Sequence, residues 1–159
     1  MTRDERQQLI DQYDDGYRAV AESLLGASDE ELDARPAPGK WSAREVVHHL
    51  ADSEMTAATR LRLLVGTDHP QIQGYDQDEF ARRLFYDRPI EASLDAFKTA
   101  RRSTSEILQR MSDAEWARAA GTHTQHGPYT AERWLEIYAP HAHRHAAQIL
   151  VARAAGKRQ

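Results

Sequence analysis

The chain has 159 residues, 40% apolar and 29% charged, which is enough for one cooperative core and short for two. Its 21 lysines and arginines against 25 aspartates and glutamates give a formal net charge of -4, so there is no basic surplus to neutralise a phosphate backbone, and nucleic acid is not an expected partner. Cysteine is absent, which excludes disulfides, thiolate metal ligands and a protein thiol nucleophile.

The opening Met1-Thr2-Arg3-Asp4-Glu5-Arg6 carries no apolar signal core, and no apolar run approaches the roughly 20 residues of a membrane span; a cytoplasmic protein without membrane contact is expected. Helix-start signals dominate. Thr2 with Glu5, Ser28 with Glu31, Ser42 with Glu45 and Ser112 with Glu115 each show the spacing of a capping box. A first long helix is predicted from about Arg3 to Leu25 and a short one from Asp29 to Ala34, before Pro36, Pro38 and Gly39 break the chain. A second long helix follows Ser42 to about Val65, and the connection after Gly66 and His69-Pro70 holds a short helix near Asp76 to Tyr86.

Ile90 to Met111 reads as a third long helix, with Leu94, Phe97, Ala100, Ile107 and Leu108 at helical spacing, followed by a turn of helix over Asp113 to Ala119. Residues 121–128 read as a loop, and a last long helix runs from near Thr130 to just before Gly156. The expectation is an all-α, four-helix bundle with short extra helices in its connections and no strand, a single domain over residues 1–155, and a frayed tail over 156–159.

Winding the last helix at about 100° per residue places Trp134, Tyr138, His141, His145, Ile149 and Ala152 on one stripe, with Gln148 at its edge and His143 nearly opposite, toward solvent. The i, i+4 spacing stacks His141 on His145, close enough for both rings to reach one ion; spacing alone leaves open a pair of core or interface histidines satisfied by polar neighbours. On the second helix Val46, Leu50, Ala57, Leu61 and Leu64 mark the buried stripe, with His49 on its flank and His48 pointing away, so His49 is the better third ligand. Three neutral imidazoles leave a coordination position for an exogenous ligand, as catalytic metals require.

Glu54 falls inside the apolar stripe, where it either lines the site or pairs with a cation from another helix. Gln148 is placed to orient a ligand or to sit as a satisfied bundle residue. His123 and His126 lie in the segment entering the last helix, as solvated residues or as proton carriers at the metal's mouth. Pro140 removes one helical hydrogen bond just before His141 and predicts a kink there.

At Lys40-Trp41-Ser42-Ala43-Arg44-Glu45-Val46-Val47-His48-His49-Leu50 and at Tyr138-Ala139-Pro140-His141-Ala142-His143-Arg144-His145-Ala146-Ala147-Gln148 the chain resembles the DinB/YfiT-like metal-binding superfamily. The resemblance implies a four-helix bundle with three histidine ligands: the histidine before Leu50, which is His49, and the last-helix pair His141 and His145. It implies a divalent transition metal, zinc or nickel, and suggests a homodimer. Its best understood branches are thiol-dependent transferases and isomerases, while other members are metal-dependent hydrolases by name.

Three functions follow as expectations. In the first, the metal activates a low-molecular-weight thiol co-substrate, which attacks a small electrophilic substrate in an S-transfer reaction. In the second, the metal activates water for hydrolysis, with Glu54, His123 or His126 carrying the proton; H-E-x-x-H is missing, so a zincin arrangement is excluded. The third is a stress-associated metal-binding protein without catalysis. No G-x-S-x-G elbow, Walker loop or dinucleotide fingerprint supports other chemistries.

Overall fold

Side-chain caps set where several of the helices begin. Thr2, Ser42 and Ser112 each accept from the backbone N–H three residues on, while Glu5, Glu45 and Glu115 at those positions accept in return from the cap's own N–H. Ser28 accepts from the Glu31 N–H without the return bond, because the Glu31 carboxylate is held by Arg153 at 2.7 Å and Lys157 at 3.3 Å.

The computed structural model describes residues 1–157, in the order α1 (Arg3–Ser23), α2 (Asp29–Asp33), α3 (Ala43–Gly66), β1 (Gln71–Ile72), α4 (Gln77–Arg83), α5 (Glu91–Leu108), α6 (Asp113–Arg118), β2 (Ala120–His123), β3 (Gly127–Thr130), α7 (Ala131–Tyr138) and α8 (His141–Gly156). Four legs form the bundle: α1, α3, α5 and the α7–α8 pair. Both α1 and α3 pack against α5 and against α8, so these two consecutive long helices lie across a diagonal of the bundle. The segment between them carries α2 over to dock on α8 and α3.

Two expectations are corrected. The segment read as a loop over 121–128, with no strand, is a hairpin of β2 and β3, and β1 adds in parallel to the outer side of β2. Gly127 turns the hairpin at a φ of +71°, and Gly121 lets the backbone of β1 approach, since a Cβ there would stand 2.4 Å from the Pro70 carbonyl oxygen. The last helix, read as continuous, is two. The Ala139 N–H still bonds Leu135 O, Pro140 has no N–H to offer, and α8 restarts with the Arg144 N–H on Pro140 O at 3.1 Å.

Smaller shifts have local causes. The buried face of α5 carries Phe97, Arg101, Thr104 and Leu108, one position round from the predicted Ala100 and Ile107. Gly156 is helical rather than frayed, with its Cβ position 3.0 Å from Glu31 Cα; residues 158–159 of the predicted tail lie outside the described residues.

The apolar core falls into two halves. One gathers Tyr13, Leu61, Leu108, Trp134 and Leu135, and the other Val20, Val46, Leu50, Phe97 and Ile149. Between them runs a polar layer made by the middle of each leg: Gly16 of α1, Glu54 of α3, Arg101 of α5, and the α7–α8 break. Glu54 and Arg101 are 1% and 2% exposed and form an ion pair, with Tyr13 donating to the other carboxylate oxygen. Arg101 also donates from Nε to Tyr13 O at 2.6 Å and from Nη2 to Tyr138 O at 3.1 Å. Gly16 is required by this layer, since a Cβ there would stand 2.7 Å from Arg101 Nη2 and 2.7 Å from Ala142 Cβ.

A Glu54→Gln substitution keeps the volume but strands the Arg101 charge, and is expected to lower unfolding free energy by about 3 kcal/mol in urea titrations. Gly16→Ala is expected to cost about 1–3 kcal/mol by overpacking. A loss below about 0.5 kcal/mol in both variants would show that the layer does not hold the bundle together.

Candidate metal centre

His49, His141 and His145 converge where α3 faces α8, each offering one ring nitrogen, and these nitrogens all lie within 4.8 Å of one another. The two Nε2 atoms of His141 and His145 are 3.1 Å apart, close to the roughly 3.3 Å separating two ligands of a tetrahedral ion with 2.0–2.1 Å bonds. The break at Pro140 starts α8 at its first ligand, so the i, i+4 stack of His141 on His145 is the opening turn of that helix.

The donor chemistry fits a cation. Gln148 Oε1 stands 2.8 Å from His145 Nδ1; an amide oxygen only accepts, so Nδ1 carries the proton and Nε2 presents its lone pair toward His141. His49 is 3% exposed and makes no hydrogen bond among the described residues, its Nδ1 wholly buried without a partner. A buried polar group left unpaired costs about 1–3 kcal/mol, a cost that a metal bound at Nδ1 would remove. Burial, reinforced by the neighbouring His145, holds the His49 pKa down to about 3, and burial followed by the His145 and His49 rings holds His141 at about 2. Burial also lowers His145. All three are therefore neutral ligands at physiological pH. Trp41 packs on His49 with ring centroids 4.9 Å apart and closes that side.

The other predicted residues are distributed around this point. Glu54, read as either site lining or an inter-helix pair, is the pair, with both oxygens engaged by Arg101 and Tyr13. Gln148 orients His145. His48 turns away from the triad as expected, yet it is fully buried, donating from Nε2 to Arg88 O at 2.9 Å and accepting at Nδ1 from the Ser93 hydroxyl at 2.7 Å. His143, read as facing solvent, is only partly exposed and donates to Gln12 O at 3.1 Å. His126 is exposed at the rim, stacked 4.6 Å from His123. His123 is buried in β2 rather than solvated, accepting at Nδ1 from the Gln125 N–H.

A cleft of about 240 Å³ opens from His49 and His141 toward the sheet. Its walls include Arg60, Tyr75 and Tyr129, none of which the sequence reading proposed for the site, and Tyr138, which it placed only on the inward stripe of the last helix. Arg60 donates to the Tyr138 hydroxyl at 2.9 Å and to Gln73 O at 2.8 Å. Burial raises the Tyr138 pKa, so its O–H keeps its proton and remains available to donate into the cleft. No aspartate or glutamate is among the described residues lining the cleft.

A His145→Ala variant is expected to lose most bound metal while keeping its helical circular dichroism, and Gln148→Leu to weaken metal affinity about 10–100-fold. Because the folded pKa of His49 lies below its unfolded value near 6.5, the unfolded chain binds more protons there, and stability falls as pH drops from about 6.5 toward 3. At pH 5 this one imidazole costs the metal-free protein about 2 kcal/mol relative to neutral pH. Urea midpoints of the metal-free protein at pH 5 and 7 should therefore differ more in the parent than in His49→Gln; equal differences would contradict the neutral, buried assignment.

A family model for the DinB superfamily matches residues 12–149. A relative from Oceanobacillus iheyensis, carrying the name "Putative metal-dependent hydrolase OB0782", is 32% identical over 140 residues, covering 88% of this chain and 81% of the relative. A Geobacillus kaustophilus protein with the same descriptive name is 30% identical over 128 residues, covering 80% of this chain and 72% of its own. Among solved structures, YfiT from Bacillus subtilis, described as a four-helix bundle of unusual topology, superposes with a TM-score of 0.87 at 23% identity, over 99% of this chain and 89% of that one. The family match across most of the chain establishes that this protein belongs to the DinB superfamily.

Proposed function

We propose that the protein is a metal-dependent enzyme that activates a small nucleophile at His49, His141 and His145, and that its nucleophile is a low-molecular-weight thiol transferred to an electrophilic small molecule. The observation that carries this reading is the convergence of three neutral imidazoles, two of which, His49 and His141, line an open cleft. A zinc or nickel ion, both suited to imidazole, would supply Lewis acidity that lowers the pKa of the nucleophile it binds.

The chain's own groups provide the rest. Gln148 fixes the tautomer of His145, and Trp41 covers His49 against bulk water. The Tyr138 hydroxyl, already accepting from Arg60, can donate to developing negative charge on the electrophile. Thiol transfer is favoured over hydrolysis because no carboxylate among the described residues lines the cleft to orient and deprotonate a water, Glu54 being sequestered by Arg101, whereas a coordinated thiol is deprotonated outright.

Hydrolysis is the second reading, favoured by the names of the relatives and by the stacked His123 and His126 beside the cleft, with His126 exposed at its rim. The two are separated by assaying zinc- and nickel-loaded protein with cellular thiols against an electrophile panel, and with esters and amides without thiol. Thiol-dependent turnover that falls at least ~100-fold on chelation and returns with metal is expected. Turnover of esters without thiol would favour hydrolysis, and activity indifferent to chelation would sink both.

A further inference from the structure

Among the described residues four arginines are buried, and three of them have carboxylates. Arg101 pairs with Glu54, Arg44 with Asp29 and Asp33, and Arg153 with Glu31. Arg60 is just as buried, at 9% exposure, yet among the described residues no carboxylate lies within 4.0 Å of it. Its two hydrogen bonds go to neutral oxygens, Tyr138 Oη and Gln73 O, and its buried Nε has no partner. The nearby acids are engaged elsewhere: Glu54 by Arg101 and Tyr13, and Asp52 by the Tyr86 hydroxyl at 2.6 Å. A charge taken out of water without a counter-charge is costly, and five guanidinium donors exceed what two neutral acceptors satisfy.

The position of this charge gives it a use. Arg60 follows His49 by about three turns on the same face of α3, and arginine side chains on a helix lean back toward its N-terminus. Both residues line the same cleft, and Tyr138 links Arg60 to the triad, accepting from Arg60 and packing with its ring centroid 5.9 Å from that of His141. Arg60 is the one lysine or arginine among the described residues of the cleft wall. A single fixed positive charge matches a monoanion; a phosphate dianion would call for a second cation.

We propose that Arg60 is the binding site for a carboxylate carried by the small molecule whose reacting end meets the triad. The carboxylate supplies the counter-charge that the fold withholds, and the planar guanidinium selects it over a neutral group of similar shape. This rests on the metal-site reading above, and it makes the enzyme selective for acidic substrates or acidic thiols.

The test uses the full chain loaded with cobalt(II), whose visible spectrum reports sulfur coordination. Binding is titrated with 3-mercaptopropionate, with the uncharged 1-propanethiol, with 2-mercaptoethylphosphonate and with propionate, the last followed by the NMR signal of the Arg60 side chain. The mercaptocarboxylate is expected to bind roughly tenfold or more tightly than propanethiol. Arg60→Gln should reduce that preference to within about twofold at unchanged metal content, with Arg60→Lys intermediate.

A wild-type protein that binds both thiols with equal affinity overturns the proposal whatever the variants do, as does a preference that survives in Arg60→Gln. Tighter binding of the phosphonate overturns the carboxylate assignment. If neither thiol perturbs the cobalt spectrum, the thiol reading fails instead. Propionate then decides for Arg60: a shifted side-chain signal supports the carboxylate site, and an unmoved one overturns it.

Discussion

The buried ion pair of Glu54 and Arg101 is the contact from which the rest of the arrangement follows. It joins α3 to α5 directly, and the guanidinium reaches backbone carbonyls on α1 and at the end of α7. Removing two charges from water is unfavourable, so such a pair is retained only where geometry and extra hydrogen bonds compensate. Here every oxygen of the carboxylate and each nitrogen of the guanidinium has a partner. The bond to Tyr138 O also answers a need created by Pro140, since a helix that stops leaves carbonyls without amide donors. The break that begins α8 at His141 is thus stabilised from across the bundle.

This polar layer fixes the angular position of the ligand-bearing helices. Glu54 locks the roll of α3 and hence the direction of His49, while Arg101, Gly16 and Ala142 meet at the start of α8 and hold His141 and His145. Gly16 sets the distance of closest approach between α1 and α8. The imidazoles sit beside an arginine already neutralised by its own carboxylate, and burial is the principal cause of their neutrality. The outer cleft contrasts with this, since Arg60 keeps a charge that no carboxylate among the described residues balances.

Much of this was legible in the sequence where local chemistry dominates. Capping boxes located the starts of α1 and α3, and the i, i+4 pair with His49 anticipated the convergence of the three imidazoles. The three short strands were missed because two to four residues cannot display alternation, and their pairing depends on contacts between distant segments such as Ile72 with Thr124. Arg101 was missed because its charge interrupts the apolar stripe of α5; the complementary interruption by Glu54 in α3 was the available signal, since two opposite charges inside two apolar stripes imply each other. The functional meaning of Arg60 had no sequence signature, because it depends on which carboxylates end up elsewhere in three dimensions.

The central claim is that three imidazoles share one ion. X-ray absorption spectroscopy of the zinc- or nickel-loaded protein measures it most directly. The account predicts three imidazole scatterers per metal at about 2.0–2.1 Å, with the remaining shell exchanging when thiol is added. One or two imidazoles, or a carboxylate in the shell, would contradict it.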